Sequence, residues 1–189
     1  MNMNLQRSIL VAAMAAPLSF ATVASADDVD SGARGMEKTS SGCSGLPNHT
    51  QLRNALSAAR EQANGGFNLD MWATVVNRDG IVCGVAFTGN QRSDQWPGSR
   101  VISAQKANTA NAFSLPALAL STANLYAAVQ PGGSLFGLQH SNPVSTAAAY
   151  KGPPGNFGQS NDPLVGAAVG GVNVFGGGLA LYKIGRAHV

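Results

Sequence analysis

Apolar residues recur at helical spacing in two stretches of the chain. In residues 49–64 they lie three or four positions apart, and Gly65 and Gly66 follow. Residues 100–114 are rich in alanine and contain neither glycine nor proline. This spacing places apolar side chains on one face of a helix. We therefore predict two helices here, with Asn48 and Ser99 as their N-caps.

Between these helices the pattern indicates a β-hairpin. Residues 71–76 and 81–87 are rich in β-branched and aromatic residues, and Asp79-Gly80 lies between them. An Asp-Gly pair between two such runs is a strong signal for a tight turn. The sequence therefore predicts an antiparallel pair of strands.

The pattern is weaker in the second half of the chain. Residues 116–129 predict a further helix with Leu118, Thr122, Leu125 and Val129 on its buried side. Residues 135–162 predict a long loop region, and residues 170–175 and 179–182 predict two strands joined by a glycine turn. The expected fold class is α/β of the α+β type, with one antiparallel sheet flanked by helices.

The first 26 residues have the features of a secretory signal peptide. Arg7 precedes an apolar run, and Ala24-Ser25-Ala26 gives the small residues of a cleavage site. The apolar run is short for a membrane anchor, so we predict cleavage after Ala26. Residues 27–42 then form a predicted disordered leader, and residues 43–183 form the domain. The expected location of the mature protein is periplasmic or secreted, with no membrane attachment after cleavage.

The last six residues, 184–189, follow no structural pattern. They match one reading frame of a common sequencing adapter, which predicts a non-native tail and a truncated gene; the alternative is a natural basic tail. Arg7 and Arg186 contribute one positive charge each, so without the signal and the tail the formal net charge falls from +3 to +1. So low a charge, with no basic cluster, argues against nucleic acid as a partner.

The chain has two cysteines, Cys43 and Cys83, both in the exported part. A pair in an oxidising compartment favours one structural disulfide. A redox pair is the weaker interpretation, because such pairs usually occur in a close C-x-x-C motif.

The sequence shows little of the chemistry that enzymes need. Outside the tail it has two histidines, His49 and His140, without metal-ligand spacing. It has no G-x-S-x-G, H-E-x-x-H or phosphate-loop motif, and its carboxylates are scattered. A non-catalytic binding protein is therefore favoured over an enzyme.

One face of the second predicted helix carries an unusual lysine. Ile102, Lys106, Thr109 and Phe113 fall on that face, and Arg100, Gln105, Asn108 and Asn111 fall on the opposite side. Three interpretations of Lys106 remain open: its long chain reaches solvent, it lies at a subunit contact, or it pairs with an anion.

The order of these motifs resembles the GlcG/HbpS-like haem-binding family. The family's A-V-V-D-x-x-G hairpin corresponds to residues 74–80, and its A-x-x-K-A-x-T-A-x-x-F helix is matched at five positions. Those positions are Lys106, Ala107, Thr109, Ala110 and Phe113. A late G-G-x-P-I segment corresponds to residues 170–174. The sequence departs from the pattern at Asn77, where the family has aspartate, and at Asn173-Val174, where it has Pro-Ile. The family's last strand and helix are absent.

The resemblance implies an exported haem-binding protein with a role in haem sensing, storage or degradation. It also implies assembly into a homo-oligomer. Haem needs an apolar slot, cations for its propionates and, in many proteins, an axial ligand. The candidate slot residues are Lys106, Thr109 and Phe113, and the candidate axial ligands are His49, His140 and Tyr126. The alternatives are an enzyme of small-molecule metabolism and an assembly module that binds no haem.

Overall fold

The structure is a computed structural model that describes residues 40–62, 67–183 and 186–187, all within the unit Met36–Val189. The predicted signal peptide, residues 1–26, lies outside the described residues, as does the predicted leader up to residue 39. Both stay predictions from the sequence.

The predicted hairpin is confirmed. Strand β1 (Trp72–Val76) pairs antiparallel with β2 (Val82–Phe87). The side chain of Asn77 closes the turn between them, because its Oδ1 accepts the backbone N–H groups of Asp79 and Ile81 at 3.0 and 2.9 Å. These two strands form a sheet of their own.

Helix α1 (His49–Glu61) packs against one face of the hairpin, mainly on β2. Asn48 is its N-cap, as predicted, and forms a capping box with Gln51. Leu52 lies against Gly84 of β2, so this side of α1 contacts the strand.

Helix α2 (Ser99–Phe113) packs mainly against β1. Its Ser103 hydroxyl lies 2.7 Å from the hydroxyl of Thr74, on the face of the hairpin opposite α1. The prediction of Ser99 as the N-cap was wrong. The N-cap is Gly98, and a backbone hydrogen bond of 2.9 Å from Ser99 to Trp96 begins the helix without a side-chain cap.

Two apolar clusters form the core. The larger joins the α2-facing side of the hairpin to α2 and to later loops; its buried members are Trp72, Val76, Val82, Val85, Phe87, Val101, Ala104, Ala149, Leu164 and Val169. The smaller lies against the C-terminal part of α2; its buried members are Leu125, Val129, Val172 and Val174. The hairpin is thus the middle layer between α1 and α2.

The predicted helix over residues 116–129 was wrong. Leu115 and Leu118 exchange two backbone hydrogen bonds in a tight turn, and Ser114 Oγ accepts the N–H of Leu120 at 3.0 Å. These bonds divert the chain, so only two short 3-10 turns form, Thr122–Leu125 and Ala127–Val129. Of the four positions predicted to be buried, Leu118 is half exposed and the other three are buried.

The long loop region contains two short helices, α3 (Leu138–Ser141) and α4 (Thr146–Ala149). The predicted strand over residues 170–175 does not form, because Gly170 and Gly171 both have positive φ angles that interrupt an extended chain. A single bridge joins Gly170 to Val144 instead.

The predicted strand over residues 179–182 is found only at its end. Strand β3 (Tyr182–Lys183) pairs antiparallel with β4 (Arg186–Ala187). The architecture is mixed α and β, with antiparallel pairs and helices, so the α+β prediction is confirmed at that level. Within the described residues, no helix combines the length and the apolar character that crossing a bilayer requires.

Candidate functional site

A cleft of about 1010 Å³ opens beside β1. Four segments enclose it: the chain before α1, α1 itself, α2, and residues 177–181. All five residues of β1 line it, so the strand forms its floor. The apolar lining includes Leu46, Leu52, Leu56, Ile102 and Leu179. Its size and apolar character are typical of a binding site for small molecules or peptides.

Large apolar side chains are exposed around this cleft. Trp96 and Leu179 are 70% and 69% exposed, and Leu69, Leu181 and Met71 are also exposed. Helix α1 presents Leu52, Ala55 and Leu56 to the cleft, and none of its residues is fully buried. A contiguous exposed apolar surface of this kind marks an interaction site.

Lys106 is the cation in the cleft lining that lacks a partner. Its ammonium makes no hydrogen bond and no ion pair with the described residues, and the side chain is only partly exposed. Burial beside apolar groups lowers the pKa of Lys106 below its usual value of 10.5, because the charged form is poorly solvated there. An anion in the cleft would compensate that loss of solvation.

The acidic residue of the cleft, Asp70, is already paired. Its Oδ1 lies 3.5 Å from Nε of Arg60 and accepts a hydrogen bond of 2.8 Å from the Thr88 hydroxyl. Asp70 therefore leaves Lys106 without a counter-ion.

A second unsatisfied group belongs to Trp72, whose buried indole N–H has no hydrogen-bond partner in the described part of the chain.

The predicted disulfide is confirmed, and it holds one wall of the cleft. Cys43 and Cys83 are bonded across a sequence separation of 40 residues. The segment that follows Cys43 contributes Gly45, Leu46 and Pro47 to the lining. The disulfide therefore ties this wall, and the start of α1 behind it, to β2.

Two of the predicted slot residues lie outside the cleft. Thr109 is fully buried; its hydroxyl donates to the carbonyl of Gln105 at 2.7 Å and accepts the N–H of Asn173 at 3.0 Å. Phe113 packs against the smaller core cluster. They share a helix face with Lys106, but residues 172–175 cover that face beyond Lys106. Both residues therefore have a packing role in this arrangement.

The three predicted axial ligands are also placed away from the cleft lining. His49 begins α1, and its Nε2 lies 2.9 Å from the carbonyl oxygen of Gly158. His140 is exposed in α3, and Tyr126 is 52% exposed between the two 3-10 turns. Of the six nominated residues, the cleft lining therefore contains Lys106 alone.

Two other polar residues of α2, Arg100 and Asn111, make interactions that sequence reasoning missed. Arg100 is buried and forms a two-point ion pair with Asp162, and it donates to the carbonyl of Ala149 at 2.8 Å. Asn111, also buried, donates to the carbonyls of Asn77 and Arg78 at 3.1 and 3.0 Å. No local pattern in the sequence links positions 100 and 162. The helix spacing alone therefore could not identify this pair.

Metal chemistry has no visible donor set in the described residues. No group of three or more histidine, cysteine, aspartate or glutamate side chains is placed to hold a metal ion there. The cleft is thus an apolar site with one unpaired cation.

No protein-family model, no curated protein and no solved structure matches the chain.

Proposed function

We propose that the chain is an exported, non-catalytic binding protein whose cleft takes an apolar ligand that carries an acidic group, with haem as the first candidate. The observation that supports this is the unpaired ammonium of Lys106 in an apolar cleft of about 1010 Å³. Haem combines a large apolar macrocycle with two carboxylates. The same proposal includes membership of the GlcG/HbpS-like family, a periplasmic or secreted location and assembly into a homo-oligomer.

The cleft fits one part of haem better than another. Its volume and apolar walls suit the macrocycle, and Lys106 suits a propionate. The described lining contains no histidine, cysteine or tyrosine. Of the side chains that commonly ligate haem iron, it contains the thioether of Met71. The binding energy in this proposal therefore comes from apolar contact and from Lys106. Bound haem would supply its iron chemistry, which the proposed binding does not require.

The test compares haemin with metal-free protoporphyrin IX. Trp72 and Trp96 are the two tryptophans of the chain, and both line the cleft, so quenching of their fluorescence follows binding directly. We expect saturable binding of both porphyrins with dissociation constants within about threefold, because the iron has no assigned protein ligand. Binding of haemin alone would contradict the contact-driven proposal and would favour an axial ligand. Failure of both porphyrins to bind would remove haem as the ligand.

Variants at Lys106 test the role of its charge. Lys106→Ala should weaken porphyrin binding about tenfold, as expected for one lost charge-assisted hydrogen bond, and Lys106→Arg should retain most of the affinity. Lys151→Ala is the matched control, because Lys151 is exposed and outside the cleft lining. Equal affinity of Lys106→Ala and the parent protein would contradict the proposed contact.

The assembly module is the second candidate, and the exposed apolar rim of the cleft favours it. In that case Lys106→Ala would change the molar mass measured by light scattering and leave the porphyrin titration unchanged. The two functions are thus separated by two readouts on one variant.

A further inference from the structure

The floor of the cleft is a strand with an unpaired edge. Residue 71 and Thr88 form a hydrogen-bonded pair, since the N–H of Thr88 donates to the carbonyl of Met71 at 3.1 Å. Hydrogen-bonded and non-hydrogen-bonded pairs alternate along an antiparallel ladder. In the observed register Ala73 therefore bonds to β2, while Trp72 and Thr74 direct their backbone N–H and C=O groups away from it. Among the described strands, none pairs with that edge.

The space beside this edge has the form of a missing strand position. The hairpin is the middle layer between α1 and α2, and both helices line the cleft beyond β1. Residues 177–181 bound the cleft as well. The open volume therefore continues the sheet layer, between two helical layers. A hairpin of two strands is marginal alone and gains stability from a third.

The charge of the cleft indicates what such a strand carries. Asp70 is paired with Arg60, and Lys106 is unpaired. The remaining charge is therefore one positive group in an apolar surrounding. An extended segment with apolar side chains and one carboxylate would satisfy the edge of β1, the apolar walls and Lys106 together.

We propose that the cleft accepts an extended polypeptide segment of another protein, which adds as a strand to the free edge of β1 and places an acidic group on Lys106. This activity goes beyond the binding of a small ligand. A peptide and a porphyrin would occupy the same volume and would exclude each other.

The test uses a synthetic seven-residue peptide that alternates valine and threonine and has glutamate at its centre. Binding is followed by tryptophan fluorescence and by amide hydrogen exchange. We expect saturable binding, with slower exchange of the N–H groups of Trp72 and Thr74, because strand addition gives these two groups acceptors. The N–H of Ala73 already bonds to β2, so its exchange serves as the internal reference.

Three altered peptides test the strand addition and the contact with Lys106. Two of them carry N-methyl groups on alternate backbone amides, one form for each edge of the peptide, and the form that lacks the donors facing β1 should not bind. Lysine in place of glutamate should weaken binding at least tenfold, and Lys106→Glu should reverse that preference. Full binding of both N-methylated forms, one for each edge of the peptide, would overturn the proposal, as would unchanged exchange at Trp72 and Thr74.

Other occupants of the cleft give different results. If a second copy of this chain covers the cleft, light scattering gives a dimer, the peptide does not bind, and the proposal is wrong. If haemin binds and the peptide does not compete with it, the strand proposal fails and the porphyrin proposal stands. If the peptide binds and haemin does not, the opposite holds.

Discussion

Helix α2 carries two cations, Arg100 and Lys106, whose surroundings differ. Arg100 is fully buried. It is surrounded by the carboxylate of Asp162, the carbonyl of Ala149 and the ring of Phe157, whose centroid lies 3.7 Å from the guanidinium carbon. Lys106, six residues further along the same helix, has no partner in the described part of the chain and faces the open cleft. The charge of Arg100 is therefore compensated within the fold, whereas the charge of Lys106 has no counter-charge among the described residues.

The surroundings of the two cations differ in the same way. Around Arg100 the Asp162 carboxylate also accepts the backbone N–H groups of Gly158 and Leu164, at 2.6 and 2.8 Å, so its oxygens are satisfied. Around Lys106 the free edge of β1 has no pairing strand among the described residues, and the apolar residues Trp96 and Leu179 at the rim are exposed. Satisfied polar networks stabilise a unique structure, whereas unsatisfied groups beside an apolar surface are typical of binding sites.

The largest expected effect comes from breaking the Arg100 network. Asp162→Asn removes the counter-charge and leaves a buried guanidinium uncompensated, which should lower the free energy of unfolding by about 3–5 kcal/mol. Denaturant unfolding measures this change. Asp79→Asn is the control, because Asp79 is exposed in the hairpin turn, and its effect should stay within about 0.5 kcal/mol. Equal stability of the two variants would contradict the assigned difference.

The disulfide ties one wall of the cleft to β2, so its removal should affect both stability and ligand binding. Cys43→Ser with Cys83→Ser should lower the free energy of unfolding by about 3–4 kcal/mol, because the unfolded chain regains the freedom of a loop of this size. It should also weaken ligand binding, since the bond fixes the wall formed by residues 45–47. Thermal unfolding with and without a reductant measures the first effect. If reduction leaves the midpoint unchanged, the bond does not carry this stability.

The Asn77 side chain gives a smaller and more local effect. Asn77→Ala removes the acceptor of two backbone N–H groups in a buried turn and should cost about 1–3 kcal/mol. Asn77→Asp keeps an oxygen in the same place and should retain more of this stability. The comparison of the two variants by denaturant unfolding tests the hydrogen-bond role. A larger loss for aspartate than for alanine would show that burial of the charge outweighs these bonds.

The smallest change in stability is expected at Lys106, and its sign is opposite. The pKa of Lys106 is lowered in the folded state, so its charge opposes folding at neutral pH. Lys106→Met should therefore raise the free energy of unfolding slightly. This advantage should shrink as the pH rises from the folded pKa to 10.5, because the parent protein gains stability over that window. Unfolding midpoints measured across that range test the sign, and an advantage that grows with pH would contradict it.

Local patterns were sufficient for the elements whose stability is local. The capped helix α1, the Asp-Gly hairpin and the disulfide pair were predicted, and the structure confirms them. Predictions from residue spacing were wrong where hydrogen bonds outside the helical pattern set the course of the backbone. The predicted helix after Pro116 is replaced by a turn between Leu115 and Leu118, and the spacing of apolar residues does not predict that turn.

For the candidate site as well, one part was predictable from the sequence and another part depended on the tertiary structure. The sequence by itself identified Lys106 as an unusual cation on an apolar face, because its spacing from Ile102 is a property of the helix alone. Which part of that face stays open was decided by the tertiary structure, where residues 172–175 cover Thr109 and Phe113 and leave Lys106 beside β1. Helical periodicity fixes the direction of a side chain around its own axis. Long-range packing fixes what that side chain meets.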